Sequence, residues 1–258
     1  MKYFYLAFDS EFFDHINDMR EAEGHDRSKI FQFTSDILKL QIVSLPLKVF
    51  EFFVAFIFWL PIPIYSSILY RIVTQSRGLP FYHGMYLRSL YYRFRLAKMS
   101  PNVFIEQNVF FAFPKSIILE KFCYIDKNCI IMSDGVHIGE RVHICPNVFI
   151  SGGGQFVAND FSCVCANSQI ITSSERLKNG SRASGPMAKP AERLVIRGHV
   201  TVERDAFVGV GSIILPNVIV AEGSVIAAGA TITKSTEPWS ITASAKNNVL
   251  GYRERVKY

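Results

Sequence analysis

Two histidines in the middle of the chain have the side chain best suited to proton transfer near neutral pH. His137 and His143 lie six residues apart, and each directly precedes an isoleucine, Ile138 or Ile144. An imidazole titrates close to pH 7, so either side chain can accept a proton from an attacking hydroxyl group. If the isoleucines point into a core, the histidines point outward on successive faces, and only one of them easily lines a given cleft.

The five cysteines predict reduced thiols in a cytoplasmic protein. Their number is odd and no signal peptide is recognisable, which argues against a disulfide framework. Cys123 and Cys129 each lie two places before an isoleucine and are expected to be small core residues. Cys163 and Cys165 lack a second Cys/His pair at zinc-ligand spacing, so we expect no metal site.

A six-residue repeat must position these side chains. Aliphatic residues recur every six positions from Ile196 to Ile232, and a second series of small or aliphatic residues lies two places before them. Neither an α-helix nor a flat strand has that period, whereas stacked coils of short strands do, with neighbouring coils about 4.8 Å apart. The sequence therefore predicts a parallel β-helix whose aliphatic side chains stack in internal columns.

The same rhythm appears earlier in the chain with slips of one or two residues, so one solenoid is expected over residues 102–240, followed by a C-terminal tail at 241–258. A glycine triplet at 152–154 is expected to loosen the frame. Residues 173–193 then break the repeat with a polar sequence rich in Gly, Pro and Ser. Such a segment must leave the stack as an exposed loop, and we expect this loop to handle substrate.

Residues 1–101 predict an N-terminal helical region. The first 40 residues are polar and acidic, and His15 is expected to be a solvated side chain of a charged face. Residues 42–73 are hydrophobic, and Pro61 and Pro63 within them predict two short helices joined by a bend. Three interpretations stay open for this segment: a re-entrant or in-plane membrane anchor, helices buried against the β-helix or a neighbouring subunit, and a single membrane span.

Basic charge follows the hydrophobic segment. The formal net charge of +6 suits an anionic partner such as a nucleotide phosphate or a membrane surface, and no helix-turn-helix, RRM or zinc-finger pattern supports nucleic acid binding. Residues 78–101 predict a turn and a basic aromatic helix that ends near Ser100. Cations in and around it could form a collar against anionic headgroups. The collar consists of Arg71, Arg77, Arg88, Arg93, Arg95 and Lys98.

Two segments, with the protruding loop between them, carry a family resemblance. They read VHIGERVHICPNVFISGGGQF and FVGVGSIILPNVIVAEGSVIAAGATITKSTEPWSI, and they resemble the left-handed β-helix, hexapeptide-repeat acyltransferases, in particular bacterial polysaccharide O-acetyltransferases. The likeness covers roughly residues 78–258. It implies a left-handed coil, a homotrimer with sites between subunits, and transfer from acetyl-CoA to a sugar hydroxyl of a cell-surface polysaccharide or its lipid-linked precursor. It also implies a bacterial cytoplasmic protein, which residues 42–73 would hold on the inner face of the cytoplasmic membrane.

The resemblance also assigns roles to residues. In the branch with a VHI-type hexad followed by glycines, the base matches His143, which would remove the acceptor proton while a backbone amide stabilises the oxyanion in a direct transfer. Many relatives carry the base at the start of the protruding loop, where this chain has Glu175, and a carboxylate there would orient the base or bind acceptor hydroxyls. The residues expected along the pantetheine arm and phosphates of acetyl-CoA are Gly209, Gly211, Ala227, Ala228, Thr233, Lys234 and Lys246.

Two other functions stay open. An N-acyltransferase on a nucleotide-linked amino sugar would depend less on a base, because an amine is already nucleophilic. A hexapeptide solenoid can also be a non-catalytic scaffold held at a membrane by residues 42–73. Binding of acetyl-CoA separates the enzymes from the scaffold.

Overall fold

The computed structural model describes residues 3–61, 63–75, 81–178 and 180–244, and it confirms the predicted parallel β-solenoid preceded by helices. Short strands form three flat faces around stacked aliphatic side chains. The aliphatic residues of the repeat are buried as expected before residue 173 and from Val202 onward, with Ile105, Ile125 and Ile144 fully excluded from solvent. Cys123 and Cys129 are also fully buried, so the prediction that they are core residues is confirmed.

Each face is a stack of strands that pair in parallel with the coils before and after them. The first face contains β2 (Phe104–Ile105), β5 (Tyr124–Ile125), β7 (His143–Ile144), β9 (Cys163–Val164), β14 (Phe207–Val208), β17 (Val225–Ile226) and β19 (Ile241–Thr242). The second face contains β3 (Phe110–Phe111), the first halves of β6 (Ile130–Ile138) and β8 (Phe149–Ala158), β10 (Gln169–Ile171), β15 (Ile213–Ile214) and β18 (Thr231–Ile232). The third face contains β1 (Lys98–Met99), β4 (Ile117–Leu119), the second halves of β6 and β8, β13 (His199–Val202) and β16 (Ile219–Val220).

The corners between faces are fixed by residues in the left-handed region of backbone space. These residues lie three places before a buried residue of the ladder, and many are asparagines, which tolerate a positive φ better than most side chains. The corner within the continuous strand β6 has no such residue. At one corner the asparagine amides of successive coils hydrogen bond to one another, joining Asn108 to Asn128, Asn128 to Asn147, and Asn147 to Asn167. The six-residue period is therefore set by three features of each six-residue unit, or hexad: one corner, one short strand and one buried aliphatic residue, which we call the plug.

The glycine triplet lies where the six-residue frame slips, as predicted, because the next buried position after Ile150 is Ala158 and the period resumes with Val164. Gly152–Gly154 lie inside the continuous strand β8, at the corner where the second face turns into the third. A Cβ on Gly154 would lie 2.1 Å from the carbonyl oxygen of Gly198, and one on Gly152 would lie 2.4 Å from the amide nitrogen of Ser173. The glycines are needed because the backbone of the protruding segment passes directly against this corner.

The protruding segment is a two-stranded arm that is longer than the predicted loop. Strands β11 (Ser173–Glu175) and β12 (Val195–Arg197) pair in antiparallel fashion, and short 3₁₀ turns at Gly185–Met187 and Pro190–Glu192 lie between them. Ile196 belongs to the arm and is exposed, so the expectation that it begins the buried ladder is wrong. The ladder resumes with Val202, because the chain re-enters the solenoid only at β13.

Five helices precede the solenoid in the described part of the chain, and they cover the open edge of its first coil. They are α1 (Ser10–Ala22), α2 (Lys29–Lys39), α3 (Gln41–Trp59), α4 (Pro63–Gln75) and α5 (Phe81–Tyr92). Side chains of α5 satisfy carbonyl groups of that edge: Ser89 donates to Val103 and Arg88 to Ile105. An uncovered strand edge would pair with other chains, so these contacts terminate the stack.

Two expectations for the basic aromatic helix are wrong. Helix α5 ends at Tyr92, eight residues before Ser100, because the chain there turns into the first coil of the solenoid. Arg88 and Arg93 do not form part of an exposed collar, since both are buried and form ion pairs with Glu106 and Glu51. Arg77 lies outside the described residues.

Helices α3 and α4 confirm that the hydrophobic segment forms two helices separated at the proline pair, although α3, at 19 residues, is not the short helix predicted. Within the described residues, α3 is the one helix long and apolar enough to cross a membrane. Only 17% of its apolar 18-residue stretch is buried inside the protein. The buried side of α3 carries Glu51 and Ala55, whereas Ile42, Phe50 and Phe53 are exposed. The helix thus has one face held by the protein and a broad apolar face that no other part of the described residues covers.

Candidate active site on the first face

His143 points outward from the first face, as its position before Ile144 predicts. Its ring stacks on that of Tyr124 from the preceding coil, with centroids 5.0 Å apart and planes 9° from parallel. The side chain is 41% exposed. The stacked tyrosine holds the imidazole in one orientation at the surface of the solenoid.

A carboxylate and a thiol flank the two nitrogens of this imidazole. Nε2 of His143 lies 3.6 Å from Oδ2 of Asp126, and Nδ1 lies 3.6 Å from Sγ of Cys145. Hydrogen bonding to Cys145 and the negative charge of Asp126 raise the pKa of His143 above its usual value of 6.5, against the effect of partial burial. Hydrogen bonds from Cys163 and His143 lower the pKa of Cys145 to about 5. Cys145 and His143 therefore titrate as an interacting pair.

Two further thiols complete the group. Sγ of Cys163 lies 3.9 Å from Sγ of Cys145 and 4.0 Å from Sγ of Cys165, and hydrogen bonding to Cys145, together with burial, raises the pKa of Cys163. One ligand atom each from His143, Cys145 and Cys163 lies within 4.8 Å of the others, which is close enough to share a metal ion. The sequence prediction of no metal site considered only neighbours along the chain, whereas coil stacking brings a second Cys/His pair alongside Cys163 and Cys165.

An aromatic cavity of about 250 Å³ adjoins His143. Helix α1 forms one wall, and the first coils of the first face form the other. His15 contributes to this wall and packs against Phe122 with ring centroids 5.1 Å apart, so the expectation of a solvated side chain is wrong. Burial lowers the pKa of His15 below its usual value. The aromatic lining consists of Tyr82, Phe104, Phe122 and Tyr124.

The residues predicted to lie along acetyl-CoA form what we call the donor track. Two of them, Gly209 and Ala227, lie in the same outward column as Cys145. The hydrogen-bond ladder of the first face places Asp126, Cys145, Cys165, Gly209 and Ala227 one above another in successive coils. Two coil spacings, about 10 Å, separate Cys145 from Gly209. The column begins with reactive groups and continues with small residues, of which Gly209 is buried, and the part formed by Gly209 and Ala227 is called the small-residue groove below.

The structure gives Gly209 and Gly211 roles in the coil itself. A Cβ on Gly209 would lie 2.5 Å from the carbonyl oxygen of Ile226, so this position must be glycine for the coils to stack. Gly211 has a φ of +68° and occupies a corner, with open space where a Cβ would point. Either glycine can still lie beside a ligand, but coil geometry alone explains both.

The remaining donor-track residues lie at the last corner and beyond it. Ala228 is exposed at the corner between the first and second faces, and Thr233 and Lys234 follow the last strand of the second face and are also exposed. Residues Ser235 and Thr236 then contact Ile219 of the third face, so Lys234 lies where the second face turns into the third, at the corner opposite the first face. Lys246 lies outside the described residues.

Glu175 is not brought to His143 within one chain. It lies on β11, and Oε1 accepts a hydrogen bond from Nη2 of Arg193 on the returning segment of the arm at 2.6 Å. The arm leaves the solenoid between the second and third faces, whereas His143 lies on the first. The two predicted catalytic residues could meet only if the arm of one subunit reached the first face of another.

His137, the alternative base, faces outward on the third face. Its Nε2 lies 3.7 Å from Oε1 of Glu120, which Lys98 and Ser100 also contact. Neither the cavity nor the small-residue groove lies on that face. The structure thus gives His143, and not His137, the neighbours of a reaction site.

The backbone amides next to the thiols are already used. The amide of Cys145 donates to Val164 and that of Cys165 donates to Val208, both at 2.9 Å. The predicted oxyanion donor therefore cannot be either of these amides while the coils remain paired.

Two family models match the chain, and both describe hexapeptide repeats. Residues 199–234 match the bacterial transferase hexapeptide model of six repeats. Residues 116–151 match the model for the hexapeptide repeat of succinyl-transferase. No curated protein sequence matches the chain.

The fold is similar to that of AntD, an N-acyltransferase from Bacillus cereus. A mutant of AntD in complex with dTDP-4-amino-4,6-dideoxyglucose and coenzyme A is 24% identical over 62% of this chain and 86% of AntD, with a TM-score of 0.56. AntD in complex with dTDP and 3-hydroxybutyryl-CoA is 24% identical over 58% of this chain and 79% of AntD, with a TM-score of 0.54. A hexapeptide-repeat acetyltransferase from Vibrio cholerae O1 biovar eltor, complexed with acetyl-CoA, is 16% identical over 73% and 85% of the two chains, with a TM-score of 0.48.

These matches confirm the hexapeptide repeats and the likeness to acyltransferases that the sequence predicts. The matched segments lie on either side of the arm, and one contains His143 while the other contains Gly209 and Ala227. With the three-faced parallel solenoid, they identify the chain as a hexapeptide-repeat β-solenoid protein that has the fold of the acyltransferases.

Proposed function

We propose that the protein is an acyl-CoA-dependent acyltransferase that acts on a sugar. One observation carries the proposal: the first face combines His143 and its carboxylate neighbour Asp126 with a groove of small residues on one side and an aromatic cavity on the other. The groove suits the narrow pantetheine arm of acyl-CoA, and aromatic side chains suit the apolar face of a sugar ring or a base. The solenoid fold and the acyl-CoA complexes of similar proteins support the same class of donor.

In this arrangement His143 is the base that the sugar acceptor needs. An acceptor in the aromatic cavity approaches the imidazole from the α1 side, and a thioester lying along Gly209 and Ala227 approaches from the opposite side. Asp126 stabilises the imidazolium that forms when a proton is taken up. Lys234 lies at the corner opposite this face, so it could pair with phosphate charge at this site only across a subunit interface.

The proposal has two versions, which differ in whether a nitrogen or an oxygen atom of the sugar accepts the acyl group. AntD complexes contain a dTDP-linked amino sugar, which favours N-acylation of a nucleotide-linked amino sugar. The unpartnered apolar face of α3 favours O-acetylation of a surface polysaccharide or its lipid-linked precursor, because such acceptors reside at a membrane. Both versions use the same donor and the same first face.

A donor and acceptor panel tests the proposed function. The purified protein is incubated with acetyl-CoA or longer acyl-CoA thioesters and with native glycans, lipid-linked sugars and nucleotide-linked amino sugars. Release of free CoA thiol, together with a mass increase of one acceptor by one acyl group, is the expected result. If calorimetry detects no acyl-CoA binding and no acceptor is acylated, the proposal is overturned in favour of a non-catalytic scaffold.

We also propose a homotrimer in which the arm reaches a neighbouring subunit. Within one chain the arm leaves the corner opposite the first face, so Glu175 could approach a His143 site only across an interface. The exposed apolar residues Val195 and Ile196 on the arm would be covered there. Light scattering should give three times the chain mass, and a catalytically competent monomer would contradict the interface.

The apolar face of α3 is proposed to lie on the inner surface of a bacterial cytoplasmic membrane. Its midpoint is fixed to the protein by Glu51, which favours a helix lying in the membrane plane over a free span. Replacing Phe50 and Phe53 by serine removes two exposed aromatic rings, and each buried Phe contributes about 1.5–3 kcal/mol. We therefore expect at least about a tenfold loss of binding to anionic vesicles in flotation assays.

A matched variant controls for a general loss of apolar surface. Ile219 is exposed on the solenoid, far from the helices in sequence and on the third face. Ile219→Ser should bind vesicles like the parent protein. Equal binding by the Phe50/Phe53 variant and the parent would show that this face meets something other than lipid.

A further inference from the structure

The base proposed above has a nucleophile at its other nitrogen. Asp126, His143 and Cys145 form a continuous row in which the carboxylate faces Nε2 and the thiol faces Nδ1, each at 3.6 Å. A nucleophile, a base and a group that orients the base are the three parts of a covalent acyl-transfer site, and such distances are often loose in the absence of substrate. A direct transfer to a sugar uses the base but leaves the thiol without a role.

We propose that Cys145 takes the acyl group from acyl-CoA as a covalent thioester before the group passes to the sugar. The inference rests on the proposed function and adds a nucleophile to it. Cys145 is the thiol for this step because it touches the imidazole and occupies the same outward column as Gly209 and Ala227. A donor lying in the groove therefore approaches Cys145 along the column of small residues.

The first step exchanges one thioester for another. The Cys145 thiol gives its proton to Nδ1 of His143, and the thiolate attacks the carbonyl carbon of acyl-CoA. The bond from that carbon to the CoA sulfur breaks, and the CoA thiolate takes the proton from the imidazolium. The new bond joins the acyl carbon to Sγ of Cys145, with no change in oxidation state, and the acyl group keeps the reactivity of a thioester.

The second step delivers the acyl group to the acceptor. A sugar hydroxyl or amine in the aromatic cavity attacks the same carbonyl carbon while His143 removes its proton. The bond from the carbon to Sγ of Cys145 breaks, and the leaving thiolate regains the proton from His143. Because the acceptor cavity and the donor groove lie on opposite sides of His143, CoA can leave before the acceptor reacts.

The other cysteines in the described part of the chain lack this combination. Cys123 and Cys129 are fully buried in the core. Cys163 and Cys165 contact thiols but are one coil further from Asp126 and Tyr124, which orient the imidazole. Within the described residues, Cys145 is therefore the half-exposed thiol that contacts the oriented imidazole of His143.

Mass spectrometry of the intact protein tests the proposal. The protein is mixed with acetyl-CoA without acceptor and quenched in acid, which preserves a thioester. An adduct of one acetyl group, mapped by peptide analysis to Cys145 and removed by hydroxylamine or by an accepted sugar, is expected. Cys145→Ala should lose the adduct and at least about a hundredfold in acyl transfer, whereas Cys123→Ala, which removes a thiol of the buried core, should keep both. Thermal unfolding of each variant shows that the fold is retained.

The outcomes separate this inference from the proposed function. Acyl transfer at the parental rate by Cys145→Ala would leave the acyltransferase in place and overturn the covalent step. Absence of both adduct and transfer with every donor would overturn the acyltransferase as well. A tightly bound zinc ion in protein isolated without added metal, lost in Cys145→Ala, would show that the thiol is a metal ligand and would also overturn the covalent step.

Discussion

Replacing His143 by alanine should lower kcat for acyl transfer by about 10²–10⁴-fold and leave binding of acyl-CoA nearly unchanged. The range is that of a general base removed from its position, and it applies whether the imidazole activates the acceptor or the Cys145 thiol. The donor groove along Gly209 and Ala227 does not include the imidazole, so KM for the donor should change little. Steady-state kinetics with acetyl-CoA and the acceptor found in the panel supply the measurement.

His137→Ala is the matched control for this variant. His137 is also outward facing, also directly before a buried isoleucine, and also near a carboxylate, Glu120. It differs in lying on the third face, away from the cavity and the groove, so its replacement should leave kcat within a factor of about two. Loss of activity in His137→Ala with retention in His143→Ala would move the reaction site to the third face.

The pH dependence of kcat/KM should also reflect the protonation of His143. The base acts only when deprotonated, and Cys145 and Asp126 raise the pKa of His143, so kcat/KM should fall as the pH is lowered through a value above the usual 6.5. Asp126→Asn removes a charge that favours the imidazolium, so its acid limb should lie at lower pH. An acid limb that is the same in parent and Asp126→Asn would show that this carboxylate does not act on the base.

The six-residue period alone predicted the architecture because each hexad contains its own corner, plug and strand. Ile144, Ile150 and the rest of the earlier series could be assigned to the core from spacing, since a plug in one coil must lie over a plug in the next. The period failed at Ile196, which matches it by number but lies in the arm. A residue in phase beyond an insertion can belong to the insertion, and spacing does not distinguish the two cases.

The sequence predicted the outward orientation of His143 but not the residues that surround it. His143 could be placed on an outward face from its neighbour Ile144, but its partners Asp126 and Cys145 depend on which coil lies beside which. Positions immediately after the plugs, read one coil apart, would have placed Asp126, Cys145 and Cys165 in one column. The contact between α1 and the first face could not be predicted, because His15 follows no repeat and reaches the site through tertiary packing.

Glu51→Ala should lower the free energy of unfolding by about 3–5 kcal/mol, the range for removing one partner of a buried ion pair. Oε2 of Glu51 accepts from Nη2 of Arg93 at 2.8 Å and from the amide of Ala7 at 2.7 Å, and Oε1 accepts from the hydroxyl of Tyr86 at 2.9 Å. The Arg93 side chain has no exposed surface, and its guanidinium lies 4.5 Å from the ring centroid of Tyr5. Alanine would leave that cation buried without a counter-charge, and chemical denaturation measures the cost.

Glu11→Ala is the matched control, because Glu11 pairs with Lys121 at a similar distance but both side chains are largely exposed. Its cost should be below about 1 kcal/mol. Replacing Glu51 and Arg93 together by apolar residues of similar size should recover most of the loss, since the buried charge disappears with its partner. Equal stability of Glu51→Ala and Glu11→Ala would show that the ion pair does not hold α3 in place. Because Glu51 determines which side of α3 faces the protein, the loss of this anchor should also weaken vesicle binding although every exposed phenylalanine remains.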